Sequence, residues 1–437
     1  MESIWEKDLP QIRFTKLDSN QKTDVLIVGG GIAGILCAYK VKNAGIDCLL
    51  AEADEICGGV TKNTSAKITF SHGLIYDKII GRFGEERARS YLSAQTDAIR
   101  EYAKLCESID CNYETRDNYI YSLDNKKKIE KEVEALRRLG SDAEFSDSLA
   151  LPFSVAGAVR VKHQAQFHPV KFLYAISKDL PIYEHTKVIE LMPHKARTNR
   201  GEITFKKLIV ATHFPILNKR GFYPLKLYQH RSYMIALKGA QFLNGMYVDE
   251  SGTGLSFRNE GELLLLGGGG HRTGKHSGCW QELEEFAKKH YPNTETICKW
   301  ATQDCMTLDG IPYIGPYAKS TPDIFVATGF NKWGMTNAMV AANILCDLVQ
   351  DKPNPYVNVF SPSRSVFHQQ LAVNLFESVT GLLSPTVPRC PHLGCALKYN
   401  CAEHSWDCPC HGSRFTANGE LIDNPATDDH PSIGKKV

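Results

Sequence analysis

The sequence lacks a strong excess of charge, a long uninterrupted hydrophobic run and an apolar segment near its amino terminus. Its 437 residues carry 51 Lys and Arg against 49 Asp and Glu, a net charge of +2 that does not indicate a nucleic-acid-binding surface. The longest apolar run, VLIVGGGIAGILCAYKV, is broken by glycines and is short for a membrane span. The opening MESIWEKDLPQIRF has no apolar stretch behind basic residues, which argues against a signal peptide. We therefore expect a cytoplasmic protein with no nucleic-acid partner and no membrane span.

The cysteines divide into two groups. The chain is long enough for two or three domains, and its 43% hydrophobic and 23% charged residues are ordinary for a globular protein. Of the 14 cysteines, nine are scattered singly between Cys37 and Cys346, and five follow residue 389. In a chain expected to be cytoplasmic, this clustering indicates metal binding at the carboxyl end.

A glycine motif near the amino terminus predicts a nucleotide-binding unit. Residues 25–28 (VLIV) form a buried-strand pattern and lead into Gly29, Gly31 and Gly34, spaced as G-x-G-x-x-G. A helical pattern follows, and then a second strand that ends at Glu52. The first two glycines allow close approach of a pyrophosphate, Gly34 allows the helix to pack on the strand, and Glu52 can bond a ribose. A glycine turn with only a structural role is the less favoured alternative.

A second set of motifs lies late in the chain and favours FAD over NAD. DGIPYIGP (309–316) precedes a strand, a glycine turn and a helix in residues 323–349. A helix that begins near Gly334, Met335 and Thr336 would direct its positive end at a ligand, which stabilises the negative charge of a reduced flavin. Because only one G-x-G-x-x-G fingerprint is present, NAD(P)H is disfavoured as a direct electron donor.

Together these motifs resemble the FAD-dependent amino-acid and amine oxidoreductases, such as D-amino-acid, glycine and sarcosine oxidases, over about residues 20–352. The resemblance implies an α/β fold (α+β overall). It places a Rossmann-like FAD-binding domain in residues 1–82, 156–217 and 304–352, and an interleaved, sheet-based substrate domain in residues 83–155 and 218–303. It also implies cofactor contacts in addition to the glycines and Glu52, from Thr61, Thr64, Ser65, Val188, Gly329, Gly334, Met335 and Thr336.

The same resemblance suggests residues that act on the substrate. Lys67 matches a cation beside the flavin, and Lys275 matches a lysine that assists dioxygen activation in sarcosine oxidases. Arg231 and Tyr233 lie on a predicted strand of the substrate domain. Trp333 and Thr336 replace the substrate-binding histidine and lysine of sarcosine oxidases, and a Trp would suit a more apolar or aromatic amine. For these side chains a surface or salt-bridge role is an equal alternative.

The mode of flavin attachment follows from the same comparison. Thr302 stands where sarcosine oxidases tether their flavin through a cysteine, and Cys305 is close to that place but offset from it. We therefore predict non-covalent FAD.

The segment from Arg389 to Phe415 carries the densest set of metal ligands. Cys390-Pro391-His392 and Cys408-Pro409-Cys410-His411 supply two thiols and two imidazoles that zinc could accept in a tetrahedron. The extra Cys395 and Cys410, with a glycine in each loop, favour iron over zinc. The zinc alternative stays open on this pattern alone.

These loops resemble Rieske iron–sulphur proteins. The resemblance implies a 2Fe-2S cluster with Cys390 and Cys408 on one iron and His392 and His411 on the other. It also implies a disulfide between Cys395 and Cys410, and a hydrogen bond from Ser413 to a cluster sulphur. The Rieske-type module would occupy only residues 389–437 after a helical linker at 353–388, with an amphipathic helix at 365–383. A unit this small is expected to dock on the flavin domains.

The two ends together predict an oxidoreductase. We expect FAD to oxidise a C–N bond in a small amine or amino acid, and the cluster to pass single electrons to a one-electron carrier protein such as a ferredoxin. Two alternatives remain open on the sequence. One is an electron-transfer or reductase component that works in the reverse direction, and the other is a flavin oxidase with a structural zinc module.

Overall fold

The protein was analysed as a computed structural model, which describes residues 3–7, 9–217, 220–251, 254–275, 279–385 and 388–433. The helices in chain order are α1 (Ile32–Asn43), α2 (Tyr76–Phe83), α3 (Glu85–Cys106), α4 (Lys126–Arg138), α5 (Pro169–Ser177), α6 (Tyr223–Lys226), α7 (Cys279–His290), α8 (Gly334–Val349), α9 (Val357–Phe360) and α10 (Gln369–Leu383). A short 3₁₀ helix spans Val60–Asn63. Within these residues no helix combines the length and apolar composition needed to cross a bilayer.

The strands form two large sheets and one small sheet. In chain order they are β1 (Gln21–Val28), β2 (Cys48–Ala51), β3 (Lys67–Ile68), β4 (Glu114–Ser122), β5 (Glu144–Ser146), β6 (Gly157–Gln166), β7 (Ile182–Tyr183), β8 (Val188–Met192), β9 (Lys195–Thr198), β10 (Glu202–Val210), β11 (Leu227–Lys238), β12 (Met246–Asp249), β13 (Ser256–Glu260), β14 (Leu263–Arg272), β15 (Glu295–Thr307), β16 (Tyr313–Pro316), β17 (Ile324–Thr328), β18 (Lys398–Asn400), β19 (Ser405–Asp407), β20 (Arg414–Thr416) and β21 (Leu421–Asp423).

The first sheet has the order β16-β17-β10-β1-β2-β7, with β8 and β9 joined at β10. Strand β1 pairs in parallel with β2 and β10, and β10 pairs in parallel with β17. All four residues of β2 are buried, as expected for a parallel strand that is covered on both faces. Helices α1 and α8 pack against each other beside this sheet. The predicted strand–turn–helix units at both ends of the flavin region are therefore confirmed.

The second sheet has the order β15-β11-β14-β13-β12-β4-β6-β3, with β5 on β6. Strand β6 pairs antiparallel with β4 from Gly157 onward, so residues 157–166 belong to this sheet although the sequence assigned residues 156–217 to the FAD-binding domain. Strand β15 likewise extends to Thr307, past the predicted boundary at 303. The difference arises because pairing with β4 and β11 extends both strands beyond the boundaries that the family resemblance implied.

The carboxyl end is a small module behind a linker. The predicted helix at 365–383 is present as α10, which begins at Gln369. Strands β18 to β21 form an antiparallel sheet after the first cysteine loop. Arg272 on β14 donates to the carbonyls of Pro409 (3.0 Å) and Cys410 (2.9 Å), so the module is docked on the second sheet as expected.

Candidate cofactor sites

A cavity of about 1080 Å³ extends from the β1 glycine turn to the start of α8. Glu52 follows β2 at one end of the cavity. One of its carboxylate oxygens accepts from the Gly30 amide, and the other accepts from Asp54 N at 2.9 Å. Burial raises the pKa of Glu52 against these opposing hydrogen bonds. The predicted acidic residue thus lies at the cavity wall beside the glycine turn.

The three fingerprint glycines have different surroundings. Gly29 has φ +110°, and a Cβ there would lie 2.6 Å from the Ala211 carbonyl oxygen. A Cβ on Gly34 would lie 1.8 Å from the Gly29 oxygen, so Gly34 permits the close packing of α1 on β1 and does not line the cavity. Gly31 does line the cavity. The position of Gly34 agrees with the packing role predicted for it, and the approach of a pyrophosphate to Gly29 and Gly31 stays a prediction.

Most of the other predicted cofactor residues also line the cavity: Thr61, Thr64, Ser65, Val188, Gly329, Gly334 and Met335. The Thr61 hydroxyl accepts from Ile32 N at 3.0 Å, at the start of α1. Thr336 is placed differently. Its hydroxyl lies 3.0 Å from Nε2 of His72 and donates to the Thr69 carbonyl at 3.1 Å. The Thr336 side chain, in the first turn of α8, is therefore held by the protein itself.

Strand β11 forms part of the cavity wall with alternate residues. Tyr228, His230, Ser232 and Met234 line the cavity, whereas Arg231 and Tyr233 do not, because successive side chains of a strand point to opposite faces. Arg231 pairs with Glu403 of the module, and the Tyr233 hydroxyl donates to Glu403 at 3.1 Å. This geometry gives Arg231 and Tyr233 a role in docking the module and does not support the predicted catalytic role.

Lys275 is also outside the cavity. It follows β14, and its ammonium forms an ion pair with Glu377 of α10 at 2.6 Å. The resemblance to sarcosine oxidases implied a place for this lysine beside the flavin. The strand instead continues past the cavity toward the linker helix, so the structure does not support a role for Lys275 in dioxygen activation.

Lys67 and Trp333 do line the cavity. The Trp333 ring stacks on His72 with centroids 5.1 Å apart and an interplanar angle of 19°. Lys67 is 7% exposed, and burial, aided by the charge of Arg258, lowers its pKa to about 7. A buried ammonium on the cavity wall can hold an anionic group of a cofactor or substrate.

Replacing Lys67 by methionine is expected to stabilise the FAD-free chain at low pH. The pKa of Lys67 is about 7 in the folded chain and about 10.4 in an unfolded one. The charged form therefore costs stability fully below pH 7, and this cost declines as the pH rises toward the unfolded value. We expect the melting temperature of the variant to exceed the wild-type value by roughly 2–4 °C at pH 6 and to match it near pH 10. Replacing the exposed Lys78 by methionine is the control, and an equal effect there would contradict the assignment.

The sequence analysis missed a group of ionisable residues on the cavity wall: His213, His230, Asp304 and Lys332. His230 and Asp304 are paired neighbours on β11 and β15. Burial raises the pKa of Asp304, and the nearby Lys332 opposes this shift. Burial lowers the pKa of Lys332, with Asp304 opposing in turn. Only Lys332, one residue before Trp333 in the glycine turn, had a sequence signal that could have identified it.

Two candidate attachment points for a flavin also line the cavity, Thr302 and Cys305. Burial raises the pKa of the Cys305 thiol to about 12. Because the thiolate is the nucleophile, this environment disfavours a covalent bond to Cys305.

The four predicted metal ligands lie in two similar loops of the module. Cys390 N donates to Cys395 O (2.8 Å) and Gly394 N to Cys390 O (2.9 Å). In the second loop, Cys408 N donates to Ser413 O (2.8 Å) and Gly412 N to Cys408 O (2.9 Å). Both glycines have positive φ, +80° and +89°. Each turn therefore presents a buried thiol and, after it, an imidazole.

The imidazole nitrogens of these loops fit a metal centre. Nδ1 and Nε2 of His392 and Nδ1 of His411 are buried and have no hydrogen-bond partner among the described residues. The His411 ring also bonds the Pro224 carbonyl, which is the arrangement that orients a histidine ligand. Because buried polar atoms normally have a partner, these nitrogens are well placed to bind iron beside the thiols of Cys390 and Cys408.

Two further predictions concern the same loops. The sulphur atoms of Cys395, Cys408 and Cys410 lie within 4.8 Å of one another, but Cys395 and Cys410 are free thiols, so their disulfide stays a prediction. The Ser413 hydroxyl accepts from Ala426 N at 3.0 Å and hydrogen-bonds the Cys390 sulphur. The latter contact agrees with the position predicted for Ser413.

The histidine loops face the cavity wall. The ring of the fully buried Phe214 lies 6.3 Å from that of His392 and 6.4 Å from that of His411. Phe214 directly follows His213, which lines the cavity. Gln229 adds a second connection, because its Oε1 accepts from His213 Nε2 at 3.2 Å and its Cβ lies 2.3 Å from where a Cβ on Gly412 would be.

Comparison with known proteins agrees with both sites. The family described as FAD dependent oxidoreductase matches residues 24–348, and the Rieske [2Fe-2S] domain matches residues 360–434. The second match supports the iron–sulphur interpretation of the cysteines and histidines over zinc. The Rieske match also begins upstream of the predicted module boundary at 389, within the linker.

Individual relatives point the same way. YhfW of Bacillus subtilis, named for a Rieske 2Fe-2S iron-sulphur protein, is 33% identical over 97% of this chain and 96% of its own. Gamma-glutamylputrescine oxidoreductase of Escherichia coli is 27% identical over 45% of this chain and 50% of its own. The crystal structure of glycine oxidase from Geobacillus kaustophilus superposes with a TM-score of 0.67 at 17% identity, covering 79% of this chain and 99% of that one.

Proposed function

Because the chain belongs to the FAD-dependent oxidoreductase family and carries a carboxy-terminal Rieske domain, we propose that it oxidises the C–N bond of an amine or amino acid. In this proposal the electrons leave singly through the 2Fe-2S cluster to an external carrier protein. Bound FAD supplies two-electron oxidation of the substrate, and the cluster supplies one-electron transfer.

The residues that line the cavity support this proposal by their chemistry. In it, Gly29, Gly31 and Glu52 hold the nucleotide half of FAD, and the first turn of α8 faces the flavin ring. Trp333 and Tyr228 supply apolar surface for the substrate. Asp304 and Lys332 give the same wall a half-buried pair of groups of opposite charge type. An amine would be oriented between these groups, and the enclosing sheet would exclude water from it.

One observation carries the second half of the proposal, namely the contact between Phe214 and the two histidines. The ring distances of 6.3 and 6.4 Å put the predicted iron ligands against a residue adjacent to the cavity wall. A module with only a structural role would not require its ligand loops to lie beside the cavity wall. The Gln303 amide reinforces the contact by donating to the Gly412 carbonyl at 2.9 Å.

The proposal is tested with the purified holoprotein under anaerobic conditions. A panel of primary and secondary amines and amino acids is added, and flavin absorbance is recorded together with low-temperature EPR of the cluster. We expect at least one compound to bleach the flavin and to produce the cluster signal in the same sample.

The alternatives give different results in the same experiment. Bleaching without a cluster signal would contradict electron transfer between the centres. No bleaching across the panel, with rapid reduction by NADH, would overturn amine oxidation in favour of a reductase that works in the opposite direction.

Phe214→Leu tests the contact itself. The smaller side chain removes the aromatic ring from between the cavity wall and the histidines, and we expect cluster reduction after flavin bleaching to slow about tenfold or more. Phe205→Leu is the control. Phe205 is also buried and lies on β10, the strand that precedes Phe214, but away from the module. Stopped-flow absorbance with freeze-quench EPR measures both steps. Equal slowing in the two variants would remove the specific role of Phe214.

A further inference from the structure

The cavity wall includes a segment of the cluster module. Residues 421–424, 426 and 427 line the cavity together with residues of both large sheets. These residues include β21 and the turn that follows it. The module therefore contributes surface to the FAD cavity in addition to its contacts through Phe214.

Specific contacts hold this segment against the FAD-binding sheet. The Asn424 side-chain amide donates to the carbonyls of Thr212 (2.6 Å) and Phe214 (3.0 Å), which follow β10. The Lys187 ammonium donates to the Thr427 carbonyl and lies 3.4 Å from the Asp428 carboxylate. These bonds tie the segment to two loops that themselves line the cavity.

The two loops identify which half of the cavity is covered. Lys187 directly precedes β8, which begins at Val188, and the neighbouring Thr186 amide donates to the Glu52 carbonyl at 2.7 Å. Thr212 follows Ala211, whose carbonyl packs on Gly29. The segment thus lies beside the loops around the glycine turn and Glu52, where a Rossmann fold binds pyrophosphate and ribose.

We propose that residues 421–427 of the cluster module form part of the FAD site and cover the nucleotide half of the bound cofactor. Bound FAD and the docked module then stabilise each other, because a ligand that contacts two units favours the state in which they are joined. This inference concerns FAD affinity and does not depend on which substrate is oxidised.

The chemistry of the segment fits such a cover. Ile422 is 45% exposed in the structure and lines the cavity, so its side chain presents apolar surface to the cofactor. The neighbouring Asp423 carboxylate is paired with Arg414 at 3.0 Å, which reduces its repulsion of a pyrophosphate. An additional unpaired carboxylate at this place would repel the phosphates across a short distance.

Ile422→Asp in the full holoprotein tests the inference. FAD dissociation is followed by the rise in flavin fluorescence after dilution, and iron content with the reduced EPR signal reports that the module is assembled. We expect the Kd for FAD to rise about tenfold. Ile189→Asp is the matched control: Ile189 is 52% exposed and adjoins Val188, but it does not line the cavity, and it should change the Kd less than about twofold.

Asn424→Ala provides a second variant that adds no charge. It removes the two bonds to the β10 loop and, among residues 388–433, no side-chain bond within the module. We expect faster FAD release with a normal cluster signal, and this variant decides the question if Ile422→Asp fails to assemble its cluster. FAD retention equal to wild type in variants with intact clusters would overturn the inference, whether or not any amine proves to be a substrate.

Discussion

Replacing Cys408 by serine is expected to abolish the EPR signal of the reduced cluster while FAD remains bound. Cys408 is 1% exposed and lies in the second ligand loop, where serine keeps the size of the side chain but loses the thiolate that binds iron. We expect electron delivery to an external one-electron acceptor to fall by more than about 100-fold. Flavin bleaching by the amine should continue at close to the wild-type rate, because Cys408 itself does not line the cavity.

Cys401→Ser is the matched control for this experiment. Cys401 lies between the two loops and is exposed, so its replacement should leave the signal, the iron content and acceptor reduction unchanged. A normal cluster signal in the Cys408 variant would remove Cys408 from the ligand set. Normal acceptor reduction without the signal would show that electrons leave the flavin by another route.

Glu403→Ala is expected to have the largest effect on the stability of the contact between the cluster module and the second sheet. Glu403 is 9% exposed at its side chain and is bonded by Arg231, by Arg414 at 2.7 Å and by the Tyr233 hydroxyl at 3.1 Å. Arg414 keeps two other carboxylates, Asp407 and Asp423. Arg231, at 3% exposure, loses the carboxylate that pairs with it in the module. Leaving the buried guanidinium of Arg231 without this carboxylate destabilises the docked module by about 3–5 kcal/mol.

Limited proteolysis and thermal loss of the cluster signal measure this effect. The Glu403 variant should release its module at a lower temperature and be cleaved faster than wild type, with FAD-dependent absorbance affected later. Glu420→Ala is the control, because Glu420 is exposed in the same module and should change stability by less than about 0.5 kcal/mol. Equal behaviour of the two variants would mean that the pair with Arg231 does not anchor the module.

The parts of the structure that depend on local sequence could be predicted. The strand before Gly29, the helix after it and the acidic end of β2 are neighbours in the chain, so their spacing alone defines a nucleotide-binding turn. The cysteine and histidine loops are local in the same sense, because each ligand pair and its glycine lie within a single tight turn. The resemblance to known families then identified the cofactors, FAD and a 2Fe-2S cluster, that these turns bind.

The parts that depend on tertiary packing could not be predicted. Whether Arg231 or His230 faces the cavity is decided by which face of β11 the module covers, and the sequence of β11 carries no mark of that choice. The position of Lys275 also depends on tertiary packing, because its ion pair with Glu377 forms only where α10 docks beside the end of β14. Asp304 and Lys332 lie far apart in sequence and become partners only when β15 closes over the glycine turn.

Strand β11 also has a consequence for how this protein can change. Positions 228, 230 and 232 face the cavity, whereas positions 229, 231 and 233 face the module. Side chains that line the cavity and side chains that contact the module thus alternate along one short segment, and Gln229 contacts both sides, through His213 and Gly412. Under the proposed function, we expect substitutions at the even positions to affect substrate binding and substitutions at positions 231 and 233 to affect docking of the module. A single inserted or deleted residue in β11 would exchange the side chains that face the cavity with those that face the module. This strand can therefore vary by substitution but not by a change in its length.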